Sequence, residues 1–397
     1  MTTLAFDLMA SPLELSDGPL ALVLLYALTL LLHLLLPALT VEGYCCGQNN
    51  EVLQYRLNGF VVYISVAAIY LYAVPEDIQL SFYHDGHACV LTANSLGLVA
   101  SLYFHLRGGR EKYSRCVTVD QLSSLASLKE DREFDRLNTA TKFFLGHEWN
   151  PRFLGQRLDV KMFLYILGAT ALQINIMSCV LFQYRSLGRV TNALKAYTFM
   201  FTWFLSEYLL CEHVHLYTYD LFAERIGFKL IWGCMVFYPF FYCIGCYPLA
   251  RMSGESDLSA LQSGLCIGLF LCGWIITRGA NLQKYFFRRN PRDPTFFFGL
   301  IPQRAIGGTR ILCSGFWAAA RHFNYCGEII QGLALSLPGA LVSTGYGRAV
   351  PLLYPLYYTL LFVTRQNDDD AVCSRKYGSK WSEYVERVPY RMVPGVY

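Results

Sequence analysis

The chain has 397 residues, of which 54% are hydrophobic, 15% are aromatic and only 16% are charged. A soluble domain carries about 25% charged residues, so this composition excludes an ordinary soluble protein and favours one that is embedded in a lipid bilayer. The net charge of +4 is small and comes from separate basic loops, which argues against a nucleic-acid partner.

Long apolar segments recur along the chain and predict about nine to ten transmembrane helices, because about 20 apolar residues are needed to cross the hydrocarbon core. The first is a leucine-rich segment at 19–40 that is interrupted by His33. The others lie near 57–75, 87–106, 160–184, 193–212, 228–250, 259–280, 314–342 and 350–364. The segment 314–342 is long enough to be bent or split in two. We therefore predict an all-α integral membrane protein.

The loop charges indicate which ends of these helices share one side of the membrane. The first 55 residues contain no Lys or Arg, whereas residues 107–157 contain ten and residues 284–310 contain six. Because cytoplasmic loops are enriched in Lys and Arg, we expect these two basic segments and the basic C-terminal tail to lie in the cytosol. The predicted organisation is N-terminal helices over 1–106, a cytosolic loop over 107–159 and a functional core over 160–397.

The cysteines and histidines do not predict a metal or redox site. Most of the 14 cysteines lie in apolar segments, where the side chain packs as a small hydrophobe. Cys243 and Cys246 fit a C-x-x-C pattern, but they lie within a predicted helix and have no second pair. His213 and His215 are two residues apart, a spacing that does not place side chains on one face of a helix. We therefore expect no bound metal.

Ionisable residues in or next to membrane segments are costly there and often mark functional sites. Glu207 and Glu212 fall in an apolar segment and are candidates for lining a substrate cavity. Arg278, Asn281 and Lys284 form a polar stripe at helical spacing, and Arg288 follows one turn later. This stripe either reaches lipid phosphates or binds a phosphorylated ligand such as an adenosine 2′-phosphate, and the residues alone leave both interpretations open.

The C-terminal part of the chain carries several long, gapped motifs. They are Phe143-Phe144-Leu145-Gly146-x-Glu148-x-Asn150-Pro151-Arg152, Gly279-Ala280-Asn281-x-Gln283-Lys284, Phe287-Arg288-x-Asn290-Pro291-x-Asp293-Pro294, Ser314-Gly315-Phe316-Trp317, Arg321-His322-Phe323-Asn324-Tyr325-x-Gly327, Cys373-x-x-Lys376-Tyr377-Gly378-x-x-Trp381-x-x-Tyr384 and Val388-Pro389-Tyr390-Arg391. In this order they resemble the sterol reductase family of the endoplasmic reticulum, over roughly residues 140–397. The resemblance implies a multi-pass protein of that membrane with sterol substrates.

The resemblance also implies a fold and a cofactor. The family's bundle of about ten transmembrane helices would hold NADPH in a cytosol-facing pocket of its C-terminal half and would admit a sterol diene from the bilayer. The cofactor-binding positions carried over from the family are Lys284, Arg288, Leu312, Trp317, Asn324, Asp369, Cys373 and Tyr377. Lys284 and Arg288 would bind the phosphates. The catalytic positions implied are Arg365, Asp369 and Tyr377.

The chain departs from the family pattern beside one of these positions. The family's run His-Arg-x-x-Arg-Asp-Glu is here Thr364-Arg365-Gln366-Asn367-Asp368-Asp369-Asp370. Asp368 therefore stands next to Asp369 where the family has an arginine. The exchange changes the local charge by two units, which puts either the cofactor affinity or the catalytic rate in question.

The chemistry of such a reduction constrains the site. An isolated ring alkene is not electrophilic, so hydride adds to it only after a proton or together with one. NADPH would supply the hydride, and an acid that stays protonated near neutral pH would supply the proton. We predict that Asp369 is this acid or that it orients the acid, acting through Tyr377 or through Tyr242, which would line the substrate cavity. No G-x-G-x-x-G follows a predicted strand, so the nucleotide is held without a Rossmann domain.

The motifs resemble two branches of the family that reduce different ring bonds. Phe316 and the run 321–325 resemble the delta-7 branch of the family, whereas the runs 278–281 and 335–338 and the short connection 290–311 resemble the delta-14 branch. We predict delta-14 reduction, with delta-7 reduction as the alternative. Two further alternatives are a membrane methyltransferase of the isoprenylcysteine type, which shares the Arg-His-x-x-Tyr-x-Gly pattern, and a sterol-binding pseudoenzyme.

Overall fold

The computed structural model describes residues 17–46, 51–108, 117–118, 134–253 and 256–397. These residues form two compact units. The first holds the described residues up to 190 together with 201–250, and the second holds 191–200 and 251–397. Part of the loop that we expect in the cytosol, namely 109–116 and 119–133, lies outside the described residues.

Both units are mainly helical, which confirms the predicted helical character of the protein. The helices of the first unit are α1 Asp17–Leu35, α2 Gly59–Tyr72, α3 Glu76–His84, α4 Gly86–Gly108, α5 Thr139–Leu145, α6 Val160–Leu187, α8 Glu212–His215, α9 Tyr219–Phe222, α10 Phe228–Trp232, the π-helix Gly233–Phe241 and α11 Cys246–Ala250. Helix α7, Asn192–Leu210, contributes residues to both units.

Six helical segments among the described residues are long and apolar enough to cross a bilayer. They are α1, α4, α6, Phe228–Ala250, α12 (Ala260–Arg289) and α14 (Phe323–Val342). Helices α2 and α3 together would form a seventh, although they meet at 111°. The chain is thus a multi-pass membrane protein. Each predicted apolar segment contains a helix, but the total of nine to ten spans stays a prediction.

Small antiparallel sheets accompany the helices and were not predicted. The strands are β1 Leu39–Cys46, β2 Val52–Leu57, β3 Val117–Thr118, β4 Arg152–Phe153, β5 Leu158–Asp159, β6 Thr295–Phe296 and β7 Ile301–Pro302. They pair as β2-β1-β3, β4-β5 and β6-β7. Five of them have only two residues each, too few for the alternation that identifies a strand in a sequence.

Helix α6 runs through the core of the first unit. Lys161, in its first turn, is fully buried, and its Nζ donates hydrogen bonds to the carbonyl oxygens of Leu221 at 2.9 Å and Glu224 at 2.7 Å. A buried ammonium is tolerated only when such acceptors replace its water shell. The lysine therefore fastens the segment 216–224 to α6.

The second unit is built on three long helices. They are α12, α14 and α15, of which α15 spans Ala349–Tyr377. The short helix α13, Phe316–Ala319, precedes α14, a 3₁₀ turn at Gly345–Arg348 lies between α14 and α15, and α16, Ser379–Arg387, follows α15. The segment 314–342 is thus split, as its length suggested. Helices α12 and α14 approach closely because glycines face each other, and a Cβ on Gly273 would lie 2.7 Å from the carbonyl oxygen of Gly327. This close packing brings the ends of α12, α14 and α15 together.

Candidate functional site

The loop before α14 is fixed to α12 by one buried glutamine. Gln283 donates from Nε2 to the carbonyl oxygen of Ser314 at 3.2 Å and accepts from the backbone N–H of Phe316 at 3.0 Å. Gly315 lies between these residues with a φ of 62°, a conformation that is open to glycine without strain. As a result the indole N–H of Trp317 donates to the carbonyl oxygen of Ala280 at 3.0 Å.

Asp369 on α15 lies at the centre of the residues brought together here. Its Oδ2 accepts a hydrogen bond of 2.7 Å from the hydroxyl of Tyr325 on α14 and lies 3.7 Å from Nδ1 of His322. The rings of His322 and Tyr325 stack with centroids 5.4 Å apart, and those of Tyr325 and Phe362 stack with centroids 4.7 Å apart. The Tyr325 ring is thus packed against two aromatic neighbours while its hydroxyl donates to one carboxylate oxygen.

The next residue, Asp370, binds the other side of the same histidine. Its Oδ1 lies 3.1 Å from Nε2 of His322, and its Oδ2 lies 3.4 Å from Arg321 and 3.8 Å from Arg391. Partial burial alone would raise the pKa of Asp370, but the hydrogen bond with His322 and the charge of Arg321 hold the pKa below its ordinary value. Asp370 is therefore a carboxylate that anchors the histidine next to Asp369.

The C-terminal tail completes this arrangement through backbone hydrogen bonds. The N–H groups of Arg321 and His322 donate to the carbonyl oxygens of Tyr390 and Arg391 at 3.0 and 2.7 Å. The guanidinium of Arg321 also donates to the carbonyl oxygen of Val388 at 2.9 Å. The buried arginine thereby ties the tail to the start of α14, and its charge stays paired.

Several positively charged side chains lie near Asp369 and Cys373. The Nζ of Lys284 lies 5.3 Å from the ring centroid of Trp317. Burial, and after it the charge of Asp369, raise the pKa of the Cys373 thiol to about 11. Lys284, Lys376 and Arg288 act in the opposite direction. Three cations and Asp369 thus lie near one thiol that is protonated at neutral pH.

Asn324 provides a further polar atom in this region. Its Nδ2 donates to Oδ1 of Asn281 at 3.3 Å, and its backbone carbonyl accepts from the Thr277 hydroxyl at 3.1 Å. Its Oδ1 is buried and has no hydrogen-bond partner within the protein. A buried acceptor without a partner costs free energy, so a ligand that donates a hydrogen bond here would be favoured.

The second unit holds all the predicted catalytic and cofactor-binding residues. Leu312 packs with Trp317, Tyr377 and Cys373 pack against the cluster of Trp381 and Tyr384, and Arg365 lies 6.0 Å from the ring of Phe362. The stripe of Asn281, Lys284 and Arg288 on α12 therefore contributes to this region. These positions agree with a single site, while the role of each residue stays a prediction.

The predicted substrate-lining residues belong to the first unit. Glu212 is buried, and its Oε2 accepts from the backbone N–H of Gly59 at 2.9 Å. Tyr242 packs against Tyr238 with ring centroids 4.8 Å apart, and Glu207 has one buried carboxylate oxygen. A structural function explains Glu212 directly, because its carboxylate satisfies the first N–H of α2. A role of these three residues in sterol binding stays a prediction.

Tyr325, His322 and Asp370 were not among the site residues predicted from the sequence. All three lie in motifs that were noted, yet the hydroxyl partner of Asp369 was sought in Tyr377 or Tyr242. One signal was available: His322 and Tyr325 are three residues apart at the start of a helix, so their rings share a face. Asp368, the departure from the family pattern, is exposed and lies outside these contacts.

Among the described residues, no group of three or more His, Cys, Asp or Glu side chains is placed to hold a metal ion.

Comparison with known proteins identifies relatives over almost the whole length. The sequence model of the "Ergosterol biosynthesis ERG4/ERG24 family" matches residues 18–397. The Delta(14)-sterol reductase of Arabidopsis thaliana is 28% identical over 373 residues, which cover 91% of each chain. The mouse Delta(14)-sterol reductase TM7SF2 is 36% identical over 261 residues, 66% of this chain and 60% of that one. A mimivirus protein named "Probable 7-dehydrocholesterol reductase" is 34% identical over 64% of this chain and 55% of its own length.

Proposed function

Because this match spans nearly all of its residues, the chain belongs to the ERG4/ERG24 sterol reductase family, and we propose that it saturates the delta-14 double bond of a sterol with NADPH. The family prediction made from the motifs is thus confirmed. The names of the plant and mouse relatives support delta-14 reduction in sterol biosynthesis. As part of the same proposal, the protein acts in the endoplasmic reticulum membrane.

The hydrogen bond between Tyr325 and Asp369 carries this proposal. The carboxylate of Asp369 holds the Tyr325 hydroxyl at 2.7 Å, and its negative charge stabilises the positive charge that develops on the sterol ring when the hydroxyl proton is delivered to the alkene. His322 lies 3.7 Å from the same carboxylate oxygen and can help to restore the proton. We assign proton donation to Tyr325, and the orientation and polarisation of that hydroxyl to Asp369.

The residues around Asp369 fit a phosphorylated dinucleotide. Lys284, Arg288 and Lys376 supply the positive charge that phosphates require, and arginine is well suited to the 2′-phosphate of NADPH. The unpartnered Oδ1 of Asn324 suits a carboxamide N–H group, and Trp317 offers an aromatic face. When bound, NADPH supplies the hydride. Arg365 and Tyr377 complete the proposed set, and the region over 160–397 is the proposed reductase core.

The test is sterol profiling of yeast that lacks delta-14 sterol reductase and expresses this chain. We expect the sterol diene to be consumed with the wild-type chain and to persist with Asp369→Asn or Arg365→Ala at equal protein levels. Persistence of the diene with the wild-type chain, correctly located and folded, would contradict delta-14 reduction.

Delta-7 reduction is the second candidate, and one observation favours it. The mimivirus relative is named a probable 7-dehydrocholesterol reductase and is as similar to this chain as several delta-14 relatives are. The same site chemistry serves either bond, because both reactions add a proton and a hydride to a ring alkene. Expression of the chain in yeast that accumulates delta-7 sterols separates the two candidates. Loss of the delta-7 sterol there would indicate delta-7 reduction, whereas loss of the diene only in the strain that lacks delta-14 sterol reductase would indicate delta-14 reduction.

A further inference from the structure

A short hairpin follows the end of the membrane helix α12 and carries bulky apolar side chains on its tip. Strands β6 and β7 pair Thr295 with Pro302 and Phe296 with Ile301. At the tip, the exposed fraction is 56% for Phe297, 94% for Phe298 and 74% for Leu300. Large apolar side chains clustered at such exposure mark an interaction surface. We call residues 295–302 the apolar hairpin.

The backbone of the tip is held in a conformation that bulky residues rarely adopt. Phe297 and Phe298 have φ values of 53° and 54°, and Gly299 follows at 83°. The left-handed region is strained for an L-residue, so two adjacent phenylalanines there need a fixed base. Gln303 supplies it, because its side chain donates to the carbonyl oxygens of Asp293 and Thr295 and its N–H donates to that of Pro294.

The aromatic side chains form a continuous series from the membrane helix to the tip. The ring centroids of Phe286 on α12 and Phe296 are 5.8 Å apart, those of Phe296 and Phe297 are 6.2 Å apart, and those of Phe297 and Phe298 are 5.3 Å apart. Phe286 is itself exposed near the end of α12, a helix apolar enough to span a bilayer. The series therefore begins at the boundary of the membrane.

Arginines surround a cavity beside the apolar hairpin. The cavity has a volume of about 600 Å³ and is lined by Arg289, Asn290, Pro291, Arg292, Asp293 and Arg310. Arg310 lies on a second turn, which is closed by a hydrogen bond of 3.0 Å from the N–H of Ile306 to the carbonyl oxygen of Ile311. Arg289, Arg292 and Arg310, here called the arginine cluster, outnumber the single acidic residue Asp293. An anionic group is the charge complement of this surface.

We propose that the apolar hairpin inserts its tip into the interfacial layer of the bilayer, while the arginine cluster binds the headgroups of anionic phospholipids. The apolar hairpin begins six residues after the end of α12, and the arginine cluster includes Arg289, the last residue of that helix, so both lie where the membrane surface passes. Apolar residues that enter the boundary layer combine with basic residues that attract anionic lipids in many membrane-surface segments. None of the residues of the apolar hairpin and the arginine cluster belongs to the proposed catalytic or cofactor-binding set, and the proposal does not depend on the reaction.

The tip is tested by photocrosslinking of the full-length chain in lipid nanodiscs. Phe298 is replaced by p-benzoylphenylalanine, and the matched control carries it at Glu383, on the charged, exposed face of α16. Because both side chains are exposed, neither replacement disturbs the core. We expect phospholipid adducts at position 298 and only background at 383. Equal lipid labelling at the two positions, or crosslinks from 298 to a second protein chain, would overturn the proposal.

The arginine cluster is tested in the same nanodiscs with equal amounts of phosphatidylserine and phosphatidylcholine. We expect the adducts at position 298 to favour phosphatidylserine and expect Arg292→Gln to reduce this preference about fivefold, the effect of about 1 kcal/mol for one basic residue near an anionic surface. Arg304→Gln is the matched control, because Arg304 is exposed in the same loop but does not line the cavity. The role of the cluster would be contradicted if the variant with the crosslinker at position 298 and all arginines intact showed no preference for phosphatidylserine. Equal loss of that preference in Arg292→Gln and Arg304→Gln would contradict it as well.

Discussion

Tyr325 and Asp369 show how much of the site depends on packing. The sequence predicted Asp369 through its motif, but its hydroxyl partner is 44 residues away on another helix. Which tyrosine meets the carboxylate is decided by the rotation of α14 against α15, and no local pattern encodes that rotation. Motif positions were therefore predictable, and the hydrogen bonds between motifs were not.

Removal of the Tyr325 hydroxyl tests its proposed function as proton donor. We expect Tyr325→Phe to lower kcat by about 100-fold or more, since general acid catalysis contributes at least that factor. The phenyl ring can keep its stacking on His322 and Phe362, so the unfolding temperature and the KM for NADPH should change little. Steady-state kinetics on the purified protein measures kcat and KM, and thermal unfolding measures the unfolding temperature.

Tyr390→Phe is the matched control for this change. Tyr390 is exposed, and its contribution to the site is a backbone carbonyl, which the substitution retains. A kcat for Tyr325→Phe as high as that of Tyr390→Phe would show that another group donates the proton.

Asp370 gives a prediction on pH and stability. Its folded pKa lies below the ordinary value of 3.8, so its contacts with His322 and Arg321 stabilise the fold at neutral pH. This contribution is lost as the pH falls below that value toward the folded pKa. We expect Asp370→Asn to lower the unfolding temperature by about 2–4 °C at pH 7, as a loss of about 1 kcal/mol would.

Thermal unfolding in detergent between pH 7 and pH 3 measures this difference. The wild type and Asp370→Asn should differ by a constant amount down to about pH 5, and the difference should shrink below the ordinary pKa of an aspartate. A difference that grows as the pH falls would contradict a depressed pKa for Asp370.

At the scale of elements, helices were predictable and strands were not. Each apolar segment of the sequence contains a helix, because about 20 consecutive apolar residues leave few alternatives in a membrane protein. The strand pairs β4-β5 and β6-β7 depend on a few backbone hydrogen bonds at loop bases, with no periodic signal. The apolar hairpin was for this reason read only as part of a basic loop.

The close contact between α12 and α14 predicts that a side chain larger than that of glycine is not tolerated at position 273. A methyl group on Gly273 would lie 2.7 Å from the carbonyl oxygen of Gly327 and 2.9 Å from the backbone N of Gln331. We expect Gly273→Ala to separate the helices and to destabilise the protein by about 1–3 kcal/mol, the usual cost of overpacking. Activity should fall with it, because Tyr325 lies on the displaced helix.

Gly268→Ala on the same helix is the matched control, since a Cβ there meets nothing within 4 Å. Alanine is the better helix former, so this variant should be as stable as the wild type or more stable. Unfolding temperatures of the two variants decide the matter. Equal stability would show that the helices do not pack as closely as described.

At the scale of the whole molecule, the loop charges make a prediction on topology. The basic segments 107–157 and 284–310 and the tail should all face the cytosol. We expect epitope tags inserted near 120 and after 397 to be cleaved by protease added outside sealed microsomes, without detergent. Protection of either tag until detergent is added would place that segment in the lumen.

The central claim is that this chain reduces a sterol alkene with a proton from the Tyr325 hydroxyl, which Asp369 holds in place. It is tested most directly with the purified protein in nanodiscs, a delta-14 sterol diene, and NADPH or NADH. We predict loss of the diene with NADPH, much slower loss with NADH, none with Asp369→Asn, and nearly wild-type loss with Asp368→Asn, whose side chain is exposed. Reduction that persists in Asp369→Asn, or a diene unchanged by the wild-type protein with either cofactor, would contradict the account.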